Sequence, residues 1–355
     1  MTKQGLDEHA PISPGSAQKH PLLILHTLAL LLLLLTLYSL STGRYPLAMG
    51  DIFHFISASL GWGEMEQARY TLLHDLFIEI RLPRVLAAIL IGASLSVSGA
   101  AFQGVFQNPL VSPNLLGVLS GAAFGAALGI LLNGSWLFVQ ASSFFFGIAA
   151  VVFALFIARA FGQGSLLMLI LGGIISGAFF AAMLSIVKYA ADPENVLPGI
   201  VIWLMGSLSA ISLDDARWIL IPVVLLVVTL CTLGRWLDAL AMGDDEARML
   251  GVPVAFARYG VIFCATLLSA LTVSLAGIIG WIGLIVPHVA RLITGPGHGL
   301  LLPASALLGG CFLLSADLVA RNFSAQEIPI GIVTELLGIP VFLLVLRHAR
   351  RGWSA

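Results

Sequence analysis

The sequence contains few charged residues for its length. Only 10% of its 355 residues are Asp, Glu, Lys or Arg, against roughly 25% in an ordinary soluble domain. The mean hydropathy is +1.02. This composition excludes a soluble domain and a disordered chain, and it indicates a membrane protein. The net charge of −1 also leaves no basic surface that would attract nucleic acid.

Cysteine, lysine and clustered histidine are scarce too. The three cysteines, Cys231, Cys264 and Cys311, lie inside apolar runs, so we expect packing roles and no disulfide framework. A phosphate-binding P-loop needs Gly-Lys-Ser or Gly-Lys-Thr, and none of the three lysines follows a glycine. No metalloprotease motif or Ser/His/Asp set is visible. We therefore predict that the chain is not an enzyme and holds neither a metal nor another cofactor.

The sequence contains long runs without any charged residue. Residues 85–158 contain no Asp, Glu, Lys or Arg, and a charge at the centre of a span costs about 2.5–3.5 kcal/mol. A span needs roughly 20 apolar residues, so this run holds about three. The whole chain predicts an all-α membrane protein with a bundle of about ten transmembrane helices: Leu22–Leu40, Pro83–Phe106, Leu115–Leu132, Leu137–Ala160, Leu166–Lys188, Ala216–Leu233, Phe256–Ala276, Ile278–Ile293, Leu300–Val319 and Ile328–Leu346.

Two of the apolar stretches contain helix-breaking residues. Ile278–Ile293 is short and carries Pro287, so we expect it to be kinked or partly broken. Leu197–Leu213 is apolar enough to span, but Pro198 and Gly206 interrupt it. We interpret this stretch as a short re-entrant or interfacial helix.

The basic residues predict the orientation of the chain. With ten alternating spans and a cytoplasmic N-terminus, ten of the 17 Lys and Arg residues lie inside, which is a weak positive-inside bias. Both termini are then cytoplasmic. Residues 1–20 are polar and contain Pro11 and Pro14, which predicts a disordered cytoplasmic tail. Residues 21–350 form one transmembrane domain in this interpretation.

Few ionisable residues lie within the predicted spans. Asp317 precedes Arg321 by four residues, which favours a structural ion pair. Glu335 lies about two turns into the last span, where a carboxylate is either on a transport pathway or protonated and hydrogen-bonded. An ion-coupled secondary carrier would use such groups, so that class of protein remains an alternative.

The longest cytoplasmic loop, at about residues 236–255, contains a predicted short helix. Asp244, Asp245 and Glu246 suit a first turn, and Gly251 with Pro253 ends the helix. A helix of two turns is unstable alone. Apolar side chains at 247, 249 and 250 provide a small face for it to lie on. The helix either rests on the membrane or inserts into a groove of a soluble partner such as a separate ATPase.

Several motifs together resemble one transporter family. They are, in chain order, Arg81-Leu-Pro-Arg84, Gly99-Ala-Ala-Phe-Gln103, Asn108-Pro-Leu110, Pro113, Leu116-Gly117, Trp203-Leu-Met-Gly-Ser207, Gly243–Gly251, Gly283-Leu-Ile-Val-Pro-His288, Arg291, Ala316-Asp317, Glu327-Ile-Pro-Ile-Gly331, Gly338 and Pro340. In this combination the chain resembles the FecCD-type permease subunits of binding-protein-dependent ABC importers for iron chelates and vitamin B12.

The resemblance implies a type II ABC importer permease in a bacterial or archaeal inner membrane. It implies a second permease subunit, which we expect to form a homodimer, two copies of a separate ABC ATPase, and a periplasmic or extracellular substrate-binding protein. The expected cargo is an iron chelate, either a ferric siderophore or haem. Vitamin B12 and oxyanions are the alternatives within the family.

The resemblance also implies roles for individual residues. We expect the binding protein to dock on Arg81, Arg84 and Arg321. The fifth and tenth spans are expected to line the translocation pathway, with Gly172, Ser176, Thr334 and Glu335 as candidates. The coupling helix that contacts the ATPase is expected to comprise Gly243, Asp244, Asp245, Glu246, Ala247, Arg248, Leu250 and Gly251.

Overall fold

The structure is a computed structural model that describes residues 21–353, apart from positions 44, 46, 48, 163, 164 and 325. The side chains of residue 49 and of residues 345–353 are not described. The predicted disordered tail, residues 1–20, lies outside the described residues. Every regular element within those limits is a helix.

Fifteen α-helices follow one another along the described chain. A π-helical segment, Asp75–Arg81, joins α3 to α4, and a 3₁₀ turn, Pro113–Leu116, precedes α5. The helices are α1 (Pro21–Ser41), α2 (Met49–Ser59), α3 (Gln67–His74), α4 (Leu82–Val105), α5 (Val118–Leu131), α6 (Trp136–Gly162), α7 (Leu166–Ala190), α8 (Leu197–Leu204), α9 (Leu213–Thr232), α10 (Gly234–Met242), α11 (Asp244–Met249), α12 (Val254–Ala276), α13 (Ile282–Thr294), α14 (His298–Asn322) and α15 (Ile330–Trp353).

The described helices account for all ten predicted spans. Seven are long and apolar enough to cross a membrane, namely α1, the continuous α3–α4 segment, α6, α7, α9, α12 and α14. Three shorter apolar helices, α5, α13 and the apolar part of α15, lie at the predicted third, eighth and tenth spans. The all-α membrane bundle predicted from the sequence is therefore confirmed.

The helical segment from Gln67 to Val105 extends beyond the predicted second span. Its 39 residues are about 58 Å long at 1.5 Å per residue, roughly twice the ~30 Å hydrocarbon thickness. The prediction found only the part after Pro83. Helices α2 and α3 were missed because they carry several polar residues. They join through a small apolar cluster that includes Leu47, Phe55 and Leu73.

Two predicted irregularities have a clear backbone cause. Helix α8 has 8 residues, and Gly206 ends it with a φ of +75°. Pro198 lies in its first turn, so this proline starts the helix instead of breaking it. Helix α13 contains Pro287 without interruption. The break lies before α13, where Gly277 and Trp281 have φ of +72° and +68°.

Helix α4 lies at the centre of the bundle and packs closely on α14 and α13. A Cβ atom at Gly92 would overlap the backbone of Gly309, and one at Gly99 would overlap the backbone of Gly283. These helices therefore approach backbone to backbone, as small residues allow in membrane proteins. Because α4 runs the full depth of the bundle, it connects two ends. One holds Arg84 and the end of α14, and the other holds Gly104, α10, α11 and the start of α14.

Candidate functional site

The predicted coupling helix is present as α11, held to the bundle by two contacts. Gly243, with a φ of +130°, turns the chain from α10 into α11. The Asp244 carboxylate then pairs with the Arg258 guanidinium of α12, whose side chain is 8% exposed. Ala247 is fully buried in the main hydrophobic core. The short helix is therefore anchored on its own subunit and does not need the membrane surface to hold it.

The exposed face of α11 is formed by fewer apolar residues than we predicted. We predicted that Ala247, Met249 and Leu250 share one apolar face. Ala247 points into the core, whereas the side chains of Met249 and Leu250 are 79% and 64% exposed. Asp245 and Arg248 are also exposed and form an ion pair at 2.8 Å. The surface that α11 presents outward is thus two large apolar side chains beside a neutralised charge pair.

Most of the loop segment before α11 is helix α10, which was not predicted from the sequence. Leu237 and Leu240 of α10 are fully buried, while Arg235 and Met242 are exposed. The three-to-four-residue spacing of Trp236, Leu237 and Leu240 is the signal that could have revealed this helix. Its position beside α11 makes α10 part of the same candidate site.

At the opposite end of α4, Asp317 forms a buried cluster of charged side chains with Arg84 and Arg321. The Asp317 carboxylate is 0% exposed and lies 2.7 Å from Nε of Arg84. Its second oxygen lies 3.4 Å from Nε of Arg321. Arg84 also contacts Glu327, at 2.9 Å. The predicted ion pair between Asp317 and Arg321 is confirmed, and Arg84 makes it a network that joins α4 to α14.

Arg321 and Arg81 also donate hydrogen bonds to backbone carbonyl groups at the end of α1 and just after it. Arg321 donates to the carbonyl oxygen of Ser39 at 2.8 Å and to its hydroxyl at 2.6 Å. Arg81 donates to the carbonyl oxygens of Leu40, at 2.6 Å, and Tyr45. Both arginines are buried.

These contacts change the interpretation of Arg81, Arg84 and Arg321. We expected Arg81, Arg84 and Arg321 to offer free guanidinium groups to a binding protein, but each is at most 9% exposed and is bonded within its own subunit. A docking protein would have to displace existing partners. Their docking role stays a prediction, and a stabilising role within the fold is what the contacts show.

Two of the predicted pathway residues face the interior of the subunit. A Cβ at Gly172 would overlap the backbone carbonyl of Ala154, and the Ser176 hydroxyl donates to the carbonyl oxygen of Ala150 at 2.6 Å. Both contacts are with α6. The contacts that the structure shows for Gly172 and Ser176 are therefore those of helix packing, as small residues allow in membrane proteins. Their place on a pathway stays a prediction.

The two candidates on α15 differ in environment. Thr334 is fully buried, and its hydroxyl donates to the carbonyl oxygen of Gly331 at 2.9 Å. Glu335 is exposed. Within the described part of the chain no hydrogen bond or ion pair involves Glu335. Exposed neighbours on the same helix, such as Ile332 and Leu336, are apolar. Glu335 is thus a carboxylate on an otherwise apolar outer face.

No candidate metal centre was found among the described residues, where no group of three or more His, Cys, Asp or Glu side chains converges. His288, which follows Pro287, has its Nδ1 atom 2.9 Å from the carbonyl oxygen of Leu284, one turn earlier. That contact is local to α13 and gives the imidazole a structural partner.

Comparison with known proteins identifies the family. Residues 31–348 match the FecCD transport family. The chain belongs to the FecCD transport family. A solved structure of a metal-chelate type ABC transporter in an inward-facing conformation superposes with a TM-score of 0.81 at 38% sequence identity, covering 92% of this chain and 99% of that one. The FecCD fold is therefore that of an ABC importer permease, embedded in the membrane by multiple spans.

Three named permeases match nearly the whole chain. The molybdate import permease MolB of Haemophilus influenzae is 39% identical over 329 residues, which are 93% of this chain and 96% of MolB. The hemin transport permease HmuU of Yersinia pestis is 37% identical, over 92% of this chain and 96% of HmuU. The vitamin B12 import permease BtuC of Shigella boydii is 35% identical, over 91% and 94%.

Proposed function

We propose that this FecCD protein is the permease subunit of an ABC importer that moves an iron chelate, a ferric siderophore or haem, across the inner membrane. The observation that carries the proposal is the match, over 92% of the chain, to a metal-chelate type ABC transporter. An iron chelatin permease of Helicobacter pylori, 42% identical over 276 residues, and the hemin permease support the same cargo. The permease itself hydrolyses no ATP in this proposal.

Molybdate is the second candidate cargo, because the permease MolB is 39% identical over 93% of the chain. Vitamin B12 is a third candidate within the family. With Glu335 facing the pathway, as proposed below, an uncharged ferric chelate is favoured over a free oxyanion. A carboxylate on the pathway would repel a divalent anion, and two charges about 4 Å apart interact by several kcal/mol where water is partly excluded.

The cargo is tested with the complete importer in proteoliposomes. The permease is reconstituted with its ATPase and binding protein and is offered, in turn, a ferric hydroxamate, haem, cyanocobalamin and molybdate. We expect ATP-dependent uptake of the ferric chelate or of haem. Uptake of molybdate alone would refute the iron-chelate proposal. Uptake by the permease alone, driven by an ion gradient, would identify a secondary carrier.

The assembly we propose has two permease subunits, two ATPase subunits and one binding protein. We place residues 21–350 in one permease domain, with the 1–20 tail and the C-terminus in the cytoplasm. The α10–α11 end of the bundle then faces the cytoplasm, and the Asp317 end faces the binding protein. Residues 243–251 form the coupling helix. Of these, Met249 and Leu250 support docking to an ATPase, because they are large, apolar and exposed.

The docking role of Arg84 is tested by removing one of its two carboxylate partners, Glu327. Glu327, with its side chain 36% exposed, occupies one side of the Arg84 guanidinium while Asp317 holds the other. If an acidic residue of the binding protein replaces Glu327 there, the variant Glu327→Gln should bind that protein more tightly, by about threefold or more. Affinity is measured by surface plasmon resonance on the solubilised permease.

A matched control for this test is Asp214→Asn, which neutralises an exposed carboxylate paired with Arg217. We expect Asp214→Asn to leave the affinity unchanged. If Glu327→Gln and Asp214→Asn bind the binding protein equally well, Arg84 is a purely structural residue and the docking site lies elsewhere.

We further propose that Glu335 faces the translocation pathway. A charged side chain on the lipid-facing side of a span is costly, so the exposed face of α15 must meet water or another subunit at this level. The prediction concerns Ile332→Cys, one turn away on the same face and 38% exposed. A cationic methanethiosulfonate reagent should label this cysteine faster than an anionic one, and Glu335→Gln should lower the rate ratio by about threefold.

The labelling experiment uses a background in which Cys231, Cys264 and Cys311 are replaced by Ala. Labelling is measured in membrane vesicles by mass spectrometry. If neither reagent reacts with the cysteine at 332, this face of α15 is covered by lipid or protein, and Glu335 does not line an aqueous pathway. An unchanged rate ratio in Glu335→Gln would contradict the proposal that Glu335 attracts the cationic reagent to this face.

A further inference from the structure

Helix α10 is fastened to the bundle at the start of α14. One carboxylate oxygen of Asp238 accepts a hydrogen bond from the backbone N–H of His298, at 2.7 Å. The same oxygen lies 2.7 Å from Nδ1 of the His298 ring. An ionised carboxylate can only accept, so Nδ1 must carry the hydrogen. Two hydrogen bonds to one side chain fix both the distance and the direction of α10 relative to α14.

The His298 side chain is enclosed between α10 and the last turn of α4. It is 6% exposed. Its other nitrogen, Nε2, is buried without a hydrogen-bond partner among the described residues. A Cβ at Gly104 would lie only 2.7 Å from Nε2, so the imidazole contacts the α4 backbone directly. Any shift of His298 therefore presses on α4 as well as on α14.

A second hydrogen bond connects α10 to the segment that follows α4. The Gln107 side-chain amide donates to the carbonyl oxygen of Leu240, at 2.8 Å. Gly234, at the start of α10, lies so close to α14 that its Cβ would be 3.1 Å from the Cα of Gly299. Helix α10 is thus attached to both α4 and α14, and a single residue, Gly243, separates it from α11.

Helices α4 and α14 are also joined at their far ends. Arg84 at the start of α4 binds Asp317 near the end of α14, at 2.7 Å. Between the two ends, Gly92 and Gly309 bring the backbones into contact. A pair of helices held at both ends and packed tightly along its length moves as one body, since packed interiors deform little.

From these contacts we propose that Asp238 and His298 form the joint that transmits movement of the coupling helix to the α4–α14 pair. They are positioning residues, which act on transport through the helices that they connect. The inference rests on the proposed function, because it assumes that an ATPase moves α11. The inference goes beyond the proposed function because it names α4 and α14 as the spans that receive this movement. The bond at Arg258 gives α11 a separate connection to α12, so breaking the joint should leave α11 in place.

The test measures the amount of cargo transported per ATP hydrolysed by the reconstituted importer. The cargo is the one that the uptake experiment described above identifies. Asp238→Ala removes both acceptor bonds, and we expect this ratio to fall by about tenfold, equivalent to about 1.4 kcal/mol, with ATP hydrolysis retained. Asp238→Asn keeps a side-chain oxygen that accepts both bonds, so it should keep at least about half of the wild-type ratio. Asp214→Asn serves as the control at an exposed carboxylate and should match the wild type.

His298 provides an independent pair of variants. His298→Asn retains an N–H donor near the position of Nδ1, whereas His298→Leu has none. We expect His298→Asn to transport better per ATP than His298→Leu. Melting temperatures of all variants are measured in the same detergent, so that a loss of coupling is separated from a loss of stability.

Two results would contradict the proposed joint. One is a wild-type ratio of cargo transported to ATP hydrolysed in Asp238→Ala. The other is a parallel fall of ATP hydrolysis and transport in both Asp238→Ala and Asp238→Asn. If neither Asp238→Ala nor His298→Leu assembles, the pair serves folding and the proposal is also overturned. Failure of the proposed function looks different, because the wild-type importer would then transport none of the four cargoes with ATP.

Discussion

Replacing Asp317 with Leu is expected to prevent the permease from being recovered as a folded protein. The Asp317 carboxylate is 0% exposed and neutralises Arg84 and Arg321, whose side chains are 10% and 8% exposed. Removing one partner of a buried ion pair costs about 3–5 kcal/mol, since the other charges stay buried without compensation. That is a large part of the ~5–15 kcal/mol by which proteins are stable. Recovery is measured by size-exclusion chromatography of a fluorescent fusion in detergent.

A graded series makes the cause of this loss specific. Asp317→Asn keeps a hydrogen-bond acceptor but no charge, so its melting temperature should fall between those of the wild type and Asp317→Leu. Asp214→Asn removes the carboxylate of an exposed pair, and exposed pairs contribute only about 0–1 kcal/mol, so little change is expected. A normal yield and melting temperature for Asp317→Leu would show that the buried cluster does not stabilise the fold.

Replacing Leu250 with Asp is expected to abolish ATP-driven uptake while the permease still folds. The Leu250 side chain is 64% exposed, beside Met249 at 79%, so the substitution leaves the core unchanged. In the proposed assembly this side chain lies in a groove of the ATPase, where an unpaired carboxylate costs several kcal/mol. We expect uptake to fall by more than about tenfold, measured with the reconstituted importer.

The matched control is Leu250→Met, which retains an apolar side chain of similar volume and should retain most of the uptake. The ATPase should also co-purify with Leu250→Met and be lost from Leu250→Asp. If Leu250→Asp binds the ATPase and transports at the wild-type rate, α11 is not the coupling helix. The exposed side of α11 would then be an ordinary loop surface.

The number and order of the spans could be predicted because hydrophobicity is a local property of the sequence. The predicted and observed bounds agree within a few residues for most spans, for example Leu166–Lys188 against Leu166–Ala190. The end of α11 was predictable for a similar reason, since Gly251, just after this helix, allows the positive φ of +78° that turns the chain away. The ion pair between Asp317 and Arg321 followed from their four-residue spacing.

The partners of individual side chains could not be predicted in the same way. Arg84 lies 233 residues from Asp317 in the chain, and Asp238 lies 60 residues from His298. No local pattern indicates such pairs. The same limit applies to Gly172 and Ser176, because helical spacing shows which residues share a face but does not show that this face meets α6.

The sequence alone determined that this protein is a multi-span helical membrane protein, because apolar run length and charge scarcity decide whether a segment can enter a bilayer. Only the tertiary structure decided which polar groups are free to act. It placed Arg81, Arg84 and Arg321 in internal bonds, left Glu335 exposed, and joined α10 to α14 through Asp238 and His298. Burying a charge in the membrane requires a partner, and which residue becomes that partner depends on how distant helices pack.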